Sequence, residues 1–335
     1  VVSVYSMLGG ITAVLWTDAI QGIILIVGAL VCVGFILFNM PEGPGQVFQI
    51  AADNDKFGLG SFSLSLTEPT FWVVLVYGVF INLQNYGIDQ NYVQRYMASK
   101  SDKEAQKSAL IGGLIYLPIS AVFLFIGTSL FAYYHSAATL PIELQDINKS
   151  DSVFPHFIVN ALPAGITGLM IASIFAAGMS TISTSFNSSA TVFLTDYYNK
   201  YFKKTASDKE GMRVLYISSA IISVIGIVIA IAMINVKSAL DAWWQLSSIF
   251  SGGMLGLLLL GLFSKTKNVK GALIGVLVGI LVIVWMSLSG TLFGEDSLGA
   301  SFHTYLTIVF GTAAIFLVGF LISIINKKTD EMYEN

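Results

Sequence analysis

Five of the six residues from Ser180 to Ser185 carry a hydroxyl: Ser180, Thr181, Ser183, Thr184 and Ser185, with Ile182 the exception. The largely apolar stretch Ile171 to Ala177 leads into them, and Asn187, Ser188, Ser189 and Thr191 follow. On a helix, Ala177, Ser180, Thr181 and Thr184 share one face, because they fall at i, i+3, i+4 and i+7. Several oxygens without nitrogen or sulfur suit a small, hard cation. Neutral hydroxyls with at most one carboxylate hold such an ion weakly, as an ion that must enter and leave requires. The competing reading is that each hydroxyl bonds back to the carbonyl one turn earlier. That explains any single hydroxyl more readily than five in six.

Three further groups carry chemistry. Asp18 follows Trp16-Thr17 inside another apolar stretch. It reads as a cation ligand or proton carrier, or as a helix-start Asp at an interface. The apolar run Phe71–Ile81 gives way to Asn82, Gln84, Asn85, Tyr86, Gly87, Asp89 and Gln90. That density suits a helix that lines a wet cavity or unwinds at mid-membrane; the alternative is amide side chains gluing helices together. Gln245, in Asp241-Ala-Trp-Trp-Gln, offers an amide to a polar solute or to a neighbouring helix. Trp243 and Trp244 beside it are interface anchors or cap a cavity.

The elements that position these groups follow from composition. Hydrophobic residues make up 55% of the chain, charged residues only 11%, and the mean hydropathy is +0.76. Soluble domains carry about 25% charged residues. The chain is therefore an all-α integral membrane protein, since its long apolar runs lack the two-residue alternation of a barrel. Eight segments each hold the ~20 residues needed to cross a bilayer: 11–38, 70–98, 108–134, 163–198, 212–235, 240–264, 269–290 and 301–325. Residues 39–69 and 135–162 are long connections, the second holding a short interfacial helix over 153–162.

Fourteen of the 17 Lys and Arg residues, from Arg95 and Lys100 to Lys327 and Lys328, lie on alternate connections. The positive-inside rule makes those connections cytoplasmic, together with the C-terminus. The small net charge of −3 argues against nucleic-acid binding. The single cysteine, Cys32, cannot form an intrachain disulfide. His135, His156 and His303 have no metal-ligand spacing, and no phosphate loop, nucleophile elbow or HExxH is present. Neither Asp18 nor Asp89 has a base, nucleophile or metal cluster beside it, so the chain does not read as an enzyme. It opens at Val1 without an initiator Met, which reads as a piece of a longer protein.

Three segments carry a resemblance: Gly-Gly-Ile-Thr-Ala-Val-Leu-Trp-Thr-Asp-Ala-Ile-Gln (9–21), Asp89-Gln-Asn-Tyr-Val-Gln-Arg95-Tyr, and Ala177-Gly-Met-Ser-Thr-Ile-Ser-Thr-Ser-Phe-Asn-Ser188. Together they resemble the sodium/solute symporter family, which includes bacterial sodium/galactose and sodium/sialic acid transporters. The resemblance runs over essentially the whole chain. It implies a fold of two five-helix inverted repeats. Residues 1–38 would be the last helix of the first repeat, 70–264 the second repeat of five transmembrane helices, and 269–335 two C-terminal helices with a cytoplasmic tail. The earlier helices would lie outside this chain.

The resemblance also implies roles. Ala177 (through its backbone oxygen), Ser180 and Thr181 match the general sodium site. Asp18, Ser180, Ser183 and Thr184 match a second sodium site found in some members, with Thr replacing the Ser of the sialic acid transporter at 181 and 184. Asn82 and Gln245 match sugar-contacting positions. Asn85-Tyr86 stands where the galactose transporter has an aromatic gate pair, so half of that gate is changed. The implied function is sodium-coupled import of a small polar organic solute, a sugar or a sugar acid such as sialic acid, across the plasma membrane by alternating access. The alternative is a sensor or channel-like protein that keeps the fold without coupled uptake.

Overall fold

The computed structural model describes residues 2–204, 207–234, 239–264, 269–292 and 302–333. Their secondary structure is helical, with eleven α-helices and no strand among the described residues. These are α1 (Val2–Phe38), α2 (Gly45–Asp53), α3 (Phe71–Ile88), α4 (Gln90–Met97), α5 (Asp102–Ser136), α6 (Val153–Asn160), α7 (Ala164–Val192), α8 (Asp208–Ala232), α9 (Ala239–Phe263), α10 (Val269–Leu292) and α11 (Leu306–Tyr333). A π-helical segment, Phe193–Phe202, continues α7.

Among the described residues, seven helices are long and apolar enough to cross a membrane. Each overlaps one of seven of the eight segments expected from hydropathy, and the segment expected over 70–98 is divided at Asp89 into α3 and α4. The remaining segment, 240–264, coincides with α9, whose described apolar stretch is Gly253–Phe263. Two features of the connections refine the expectation. The interfacial helix expected over 153–162 is α6, which buries Phe157 and Ile158. The connection 39–69 also holds a helix, α2, which buries Val47 and Ala51 and packs on α5.

Local chemistry starts two of the long helices. Ser101-Asp-Lys-Glu104 and Ser207-Asp-Lys-Glu210 are the same tetrapeptide. In each, the Ser side chain accepts from the backbone N–H of the Glu three residues on, and two carboxylates sit in the first turn. On α8, burial is inverted relative to a helix of a soluble protein. The buried residues are Ser218, Ser219 and Ser223, whereas Ile221, Val224, Ile225 and Val228 face outward. Small residues let helices approach closely, and an apolar outer surface costs nothing in lipid.

The chain forms two compact units, residues 1–58 with 94–237 and residues 59–93 with 238–335. In the first, α1 packs along α7, with α5 and α8 beside them. Ile36, Ile126, Phe157 and Met170 form its largest apolar cluster. In the second, α11 packs against α10, α9 and α3. Ile315 fills the space left by two glycines there: a Cβ on Gly256 would lie 2.7 Å from the Ile315 Cβ, and one on Gly279 would lie 2.1 Å from its Cγ1.

The antiparallel register of α1 and α7 is pinned at Gly28. A Cβ there would lie 2.2 Å from Ser173 Oγ. Ser173 Oγ in turn donates to the Ile24 carbonyl across the interface (3.1 Å) and to the Leu169 carbonyl of its own helix (2.8 Å). Some 15 Å along the same interface, at 1.5 Å per residue, the register brings Thr184 to Asp18.

Candidate functional site

The hydroxyl run divides on α7. Ser183 and Thr184 are buried, while Thr181 and Ile182 face outward. Thr184 Oγ1 lies 3.1 Å from Asp18 Oδ2, to which it donates. The carboxylate of Asp18 is largely enclosed, with its side chain 12% exposed. Its second oxygen, Oδ1, is buried and has no hydrogen-bond partner. An enclosed carboxylate oxygen without a donor is costly, and a cation is one group that would satisfy it. The residues at this position therefore fit a hard cation by the chemistry of their donors.

A third side chain completes this cluster. Arg95 of α4 places Nη2 2.7 Å from Asp18 Oδ2 and 3.3 Å from Thr184 Oγ1. Its neighbour Gln94 accepts through Oε1 from Asn187 Nδ2 (2.9 Å) and Ser188 Oγ (3.4 Å). The C-terminal half of α4 is thus docked onto α1 and α7 by polar contacts. In the sequence Arg95 stands out as a topology signal and as part of a family motif, with no role at the site attached to it. The clue was Asp18 itself, since a carboxylate at membrane depth requires a counter-charge or water.

The other hydroxyls make local bonds. Thr181 Oγ1 donates to the Ala177 carbonyl (3.1 Å), and Ser183 Oγ donates to the Ser180 carbonyl (3.0 Å). These are the back-bonds that compete with a ligand role. They also hold the Ala177 oxygen and the Thr181 hydroxyl side by side on an outward face. Ser180 is half-buried between the two faces.

Asp89 acts as a cap. The helix of the polar run breaks there, with Asp89 extended (φ −69°, ψ 123°) between α3 and α4. Its Oδ1 accepts from the Asn91 N–H at 2.7 Å, and its carbonyl accepts from the N–H groups of Tyr92 and Val93. The interruption expected within the polar run therefore falls at its C-terminal end.

On α3, Asn82, Asn85 and Tyr86 share one face by helical spacing and lie exposed to half-buried. Asn82 Nδ2 donates to the Gly78 carbonyl (2.7 Å). The Tyr86 ring stands 5.0 Å from that of Tyr92. Gln84 points the other way: it is buried, and its Oε1 has no hydrogen-bond partner. Gln245 lies on α9, and its side chain is outside the described residues. Among the described residues, no group of three or more His, Cys, Asp or Glu could hold a metal ion. A cavity lined by Leu130, Phe131, Tyr134 and Gln145 contains none of the candidate residues.

Residues 1–279 match the sodium:solute symporter family. The chain belongs to this family. Two sodium:solute symporters illustrate the match. The sodium/sialic acid symporter NanT of Aliivibrio fischeri is 32% identical over 337 residues, which covers 99% of this chain and 64% of that protein. The sodium/sialic acid symporter SiaT of Proteus mirabilis is 34% identical over 288 residues, covering 84% of this chain and 57% of that protein. The chain thus spans less than two thirds of the length of these relatives. The fold is similar to a substrate-bound, outward-open structure of a Na⁺-coupled sialic acid symporter, with a TM-score of 0.85 at 31% identity, over 97% of this chain and 65% of that one. Members of this family named here are transporters, not enzymes.

Proposed function

We propose that this chain is the larger part of a sodium-coupled symporter that imports a small polar organic solute by alternating access, with a sugar acid of the sialic acid type as first candidate. Support comes from the two sialic acid symporters it resembles. The observation that carries the cation half is the Asp18–Thr184 contact with its unpartnered Asp18 Oδ1. Asp18, Ser180, Ser183 and Thr184 would bind one sodium ion, and Ala177, Ser180 and Thr181 would contribute to another. Two oxygens 3.1 Å apart, as at Ala177 and Thr181, are close enough to share one hard cation. Asn82, Asn85, Tyr86 and Gln245 would contact the solute.

Eight transmembrane helices fit this reading, with α9 as the eighth. So does the inverted-repeat division into residues 1–38, 70–264 and 269–335, with the remaining first-repeat helices outside this chain. The break at Asp89 supports taking α3 and α4 as the discontinuous helix that opens the second repeat. The alternation of basic connections supports a cytoplasmic C-terminus, and an importer of this kind would sit in the plasma membrane.

The second ion has an energetic purpose. An anionic solute with one sodium moves no net charge, so the membrane potential does nothing for it. A second sodium makes the step electrogenic and adds about 2.3 kcal/mol per 100 mV. The test is uptake of labelled sialic acid and galactose by the full-length protein in proteoliposomes, with and without an imposed sodium gradient. Uptake that ignores the gradient would favour a channel-like protein and overturn the proposal.

A further inference from the structure

We propose that Arg95 is a tethered cation that neutralises Asp18 whenever the second sodium is absent, so that sodium binds there by exchange against the guanidinium. This inference rests on the two-sodium reading above and assigns a role to a residue that the reading leaves out.

The geometry is that of a removable partner. Arginine commonly engages a carboxylate through two nitrogens and both oxygens. Here one nitrogen, Nη2, meets one oxygen, Asp18 Oδ2, and the same nitrogen reaches Thr184 Oγ1. Asp18 Oδ1 stays buried and unpartnered. Arg95 therefore touches two of the four side chains that would hold the ion, and it leaves the enclosed carboxylate oxygen unused. The two partners also differ in exposure. The Arg95 side chain is 39% exposed and the Asp18 side chain 12%. The guanidinium stands at the rim and can turn into water, while the carboxylate cannot.

The backbone that carries Arg95 has a separate anchor. Gln94 is bonded to Asn187 and Ser188 on α7, so the Arg95 side chain can leave without undocking α4. A lone carboxylate at this depth would be expensive, and stripping the ion from it would be slow. With Arg95 in reach, the sodium-free site is already neutral. Each arriving ion displaces a positive charge, and each departing ion is replaced by one. The exchange weakens sodium binding and speeds release, which is what an ion cycling in every turnover needs.

The test uses the purified full-length protein in detergent without solute. Sodium replaces choline at constant ionic strength, and the rise in apparent melting temperature is read against sodium concentration. Sodium-dependent uptake in proteoliposomes is measured in parallel. Arg95→Gln should lower the half-saturating sodium concentration by about five- to tenfold, the scale of losing a partly exposed competing ion pair. It should also slow turnover at saturating sodium. Arg95→Lys, which keeps the charge on a less well matched head group, should fall between wild type and Arg95→Gln. In an Asp18→Asn background, Arg95→Gln should have no further effect.

An unchanged or raised half-saturation in Arg95→Gln would overturn the exchange, and if that variant does not fold, wild-type sodium dependence in Arg95→Lys would do the same. The two-sodium reading fails separately, when Asp18→Asn leaves the cooperativity of sodium-dependent uptake unchanged. A loss of that cooperativity together with an unshifted Arg95→Gln curve would sink only the role of Arg95.

Discussion

Gly28→Ala tests whether the α1–α7 register positions the Asp18 cluster. The added Cβ would stand 2.2 Å from Ser173 Oγ and 3.0 Å from Ser173 Cβ, whereas ordinary contact begins at 3.4 Å. The interface must therefore open by about 1.2 Å, or Ser173 must rotate and give up its bond to the Ile24 carbonyl. Overpacking of this kind costs about 1–3 kcal/mol, and the lost interhelical bond adds about 0.6 kcal/mol. Replacing glycine inside a helix returns about 1 kcal/mol. The net expectation is a loss of about 0.6–2.6 kcal/mol, which lowers the apparent melting temperature by a few degrees.

The same opening, carried along the interface, stretches the 3.1 Å Thr184–Asp18 contact beyond hydrogen-bonding distance. Sodium-induced stabilisation of Gly28→Ala should then need more sodium than wild type. Ser173→Ala in the same chain removes the 2.2 Å clash and should recover most of both losses. Thermal unfolding of the single and double variants across a sodium series measures this. A Gly28→Ala variant with wild-type stability and sodium response, or a double variant with no recovery, would refute the reasoning.

Other predictions address separate parts of the molecule. Gly279→Leu places side-chain atoms where Ile315 Cγ1 already lies 2.1 Å from a Cβ position, so it should strongly lower the melting temperature and the yield of folded protein. Asn82→Ala should raise KM for the solute about tenfold, as expected for a lost polar contact, and leave sodium-induced stabilisation in the absence of solute unchanged. His303 precedes the membrane span of α11, which the structure starts at Leu306 rather than at the expected 301, and burial pulls its pKa below the ordinary 6.5. The folded state thus binds fewer protons than the unfolded one near that pH. This stabilising contribution is full above 6.5 and is lost as the pH falls through the lowered folded value. His303→Gln should flatten the decline in melting temperature between pH 7 and 5, and an unchanged profile would count against the assignment.

Much of this architecture is legible in the sequence because lipid enforces it. Apolar length locates the cores of α1, α5, α8, α10 and α11, although α1 and α11 run eight or nine residues past one expected end; a bilayer admits only helices and closed barrels, and the missing two-residue alternation leaves helices. The polar run after Ile81 announces the interruption of its helix, although Asp89 shows its capping role only through the amide it meets at Asn91. The helix α2 was hidden because nine residues with Pro41 and Pro44 just before them carry little periodic signal. Arg95 was hidden for a different reason. Its partner Asp18 is 77 positions away, and only the packing of α1 against α7 creates the place where the two meet. Likewise, the equal-looking hydroxyls of Thr181 and Thr184 part company because one turns outward and the other meets Asp18.

The account turns on sodium bound at Asp18. The most direct measurement is the sodium dependence of labelled sialic acid uptake by the full-length protein in proteoliposomes, wild type against Asp18→Asn. The account predicts a Hill coefficient near 2 for wild type, falling to about 1 in the variant, the limits set by the number of coupled sites. A wild-type Hill coefficient carried unchanged into Asp18→Asn would contradict it.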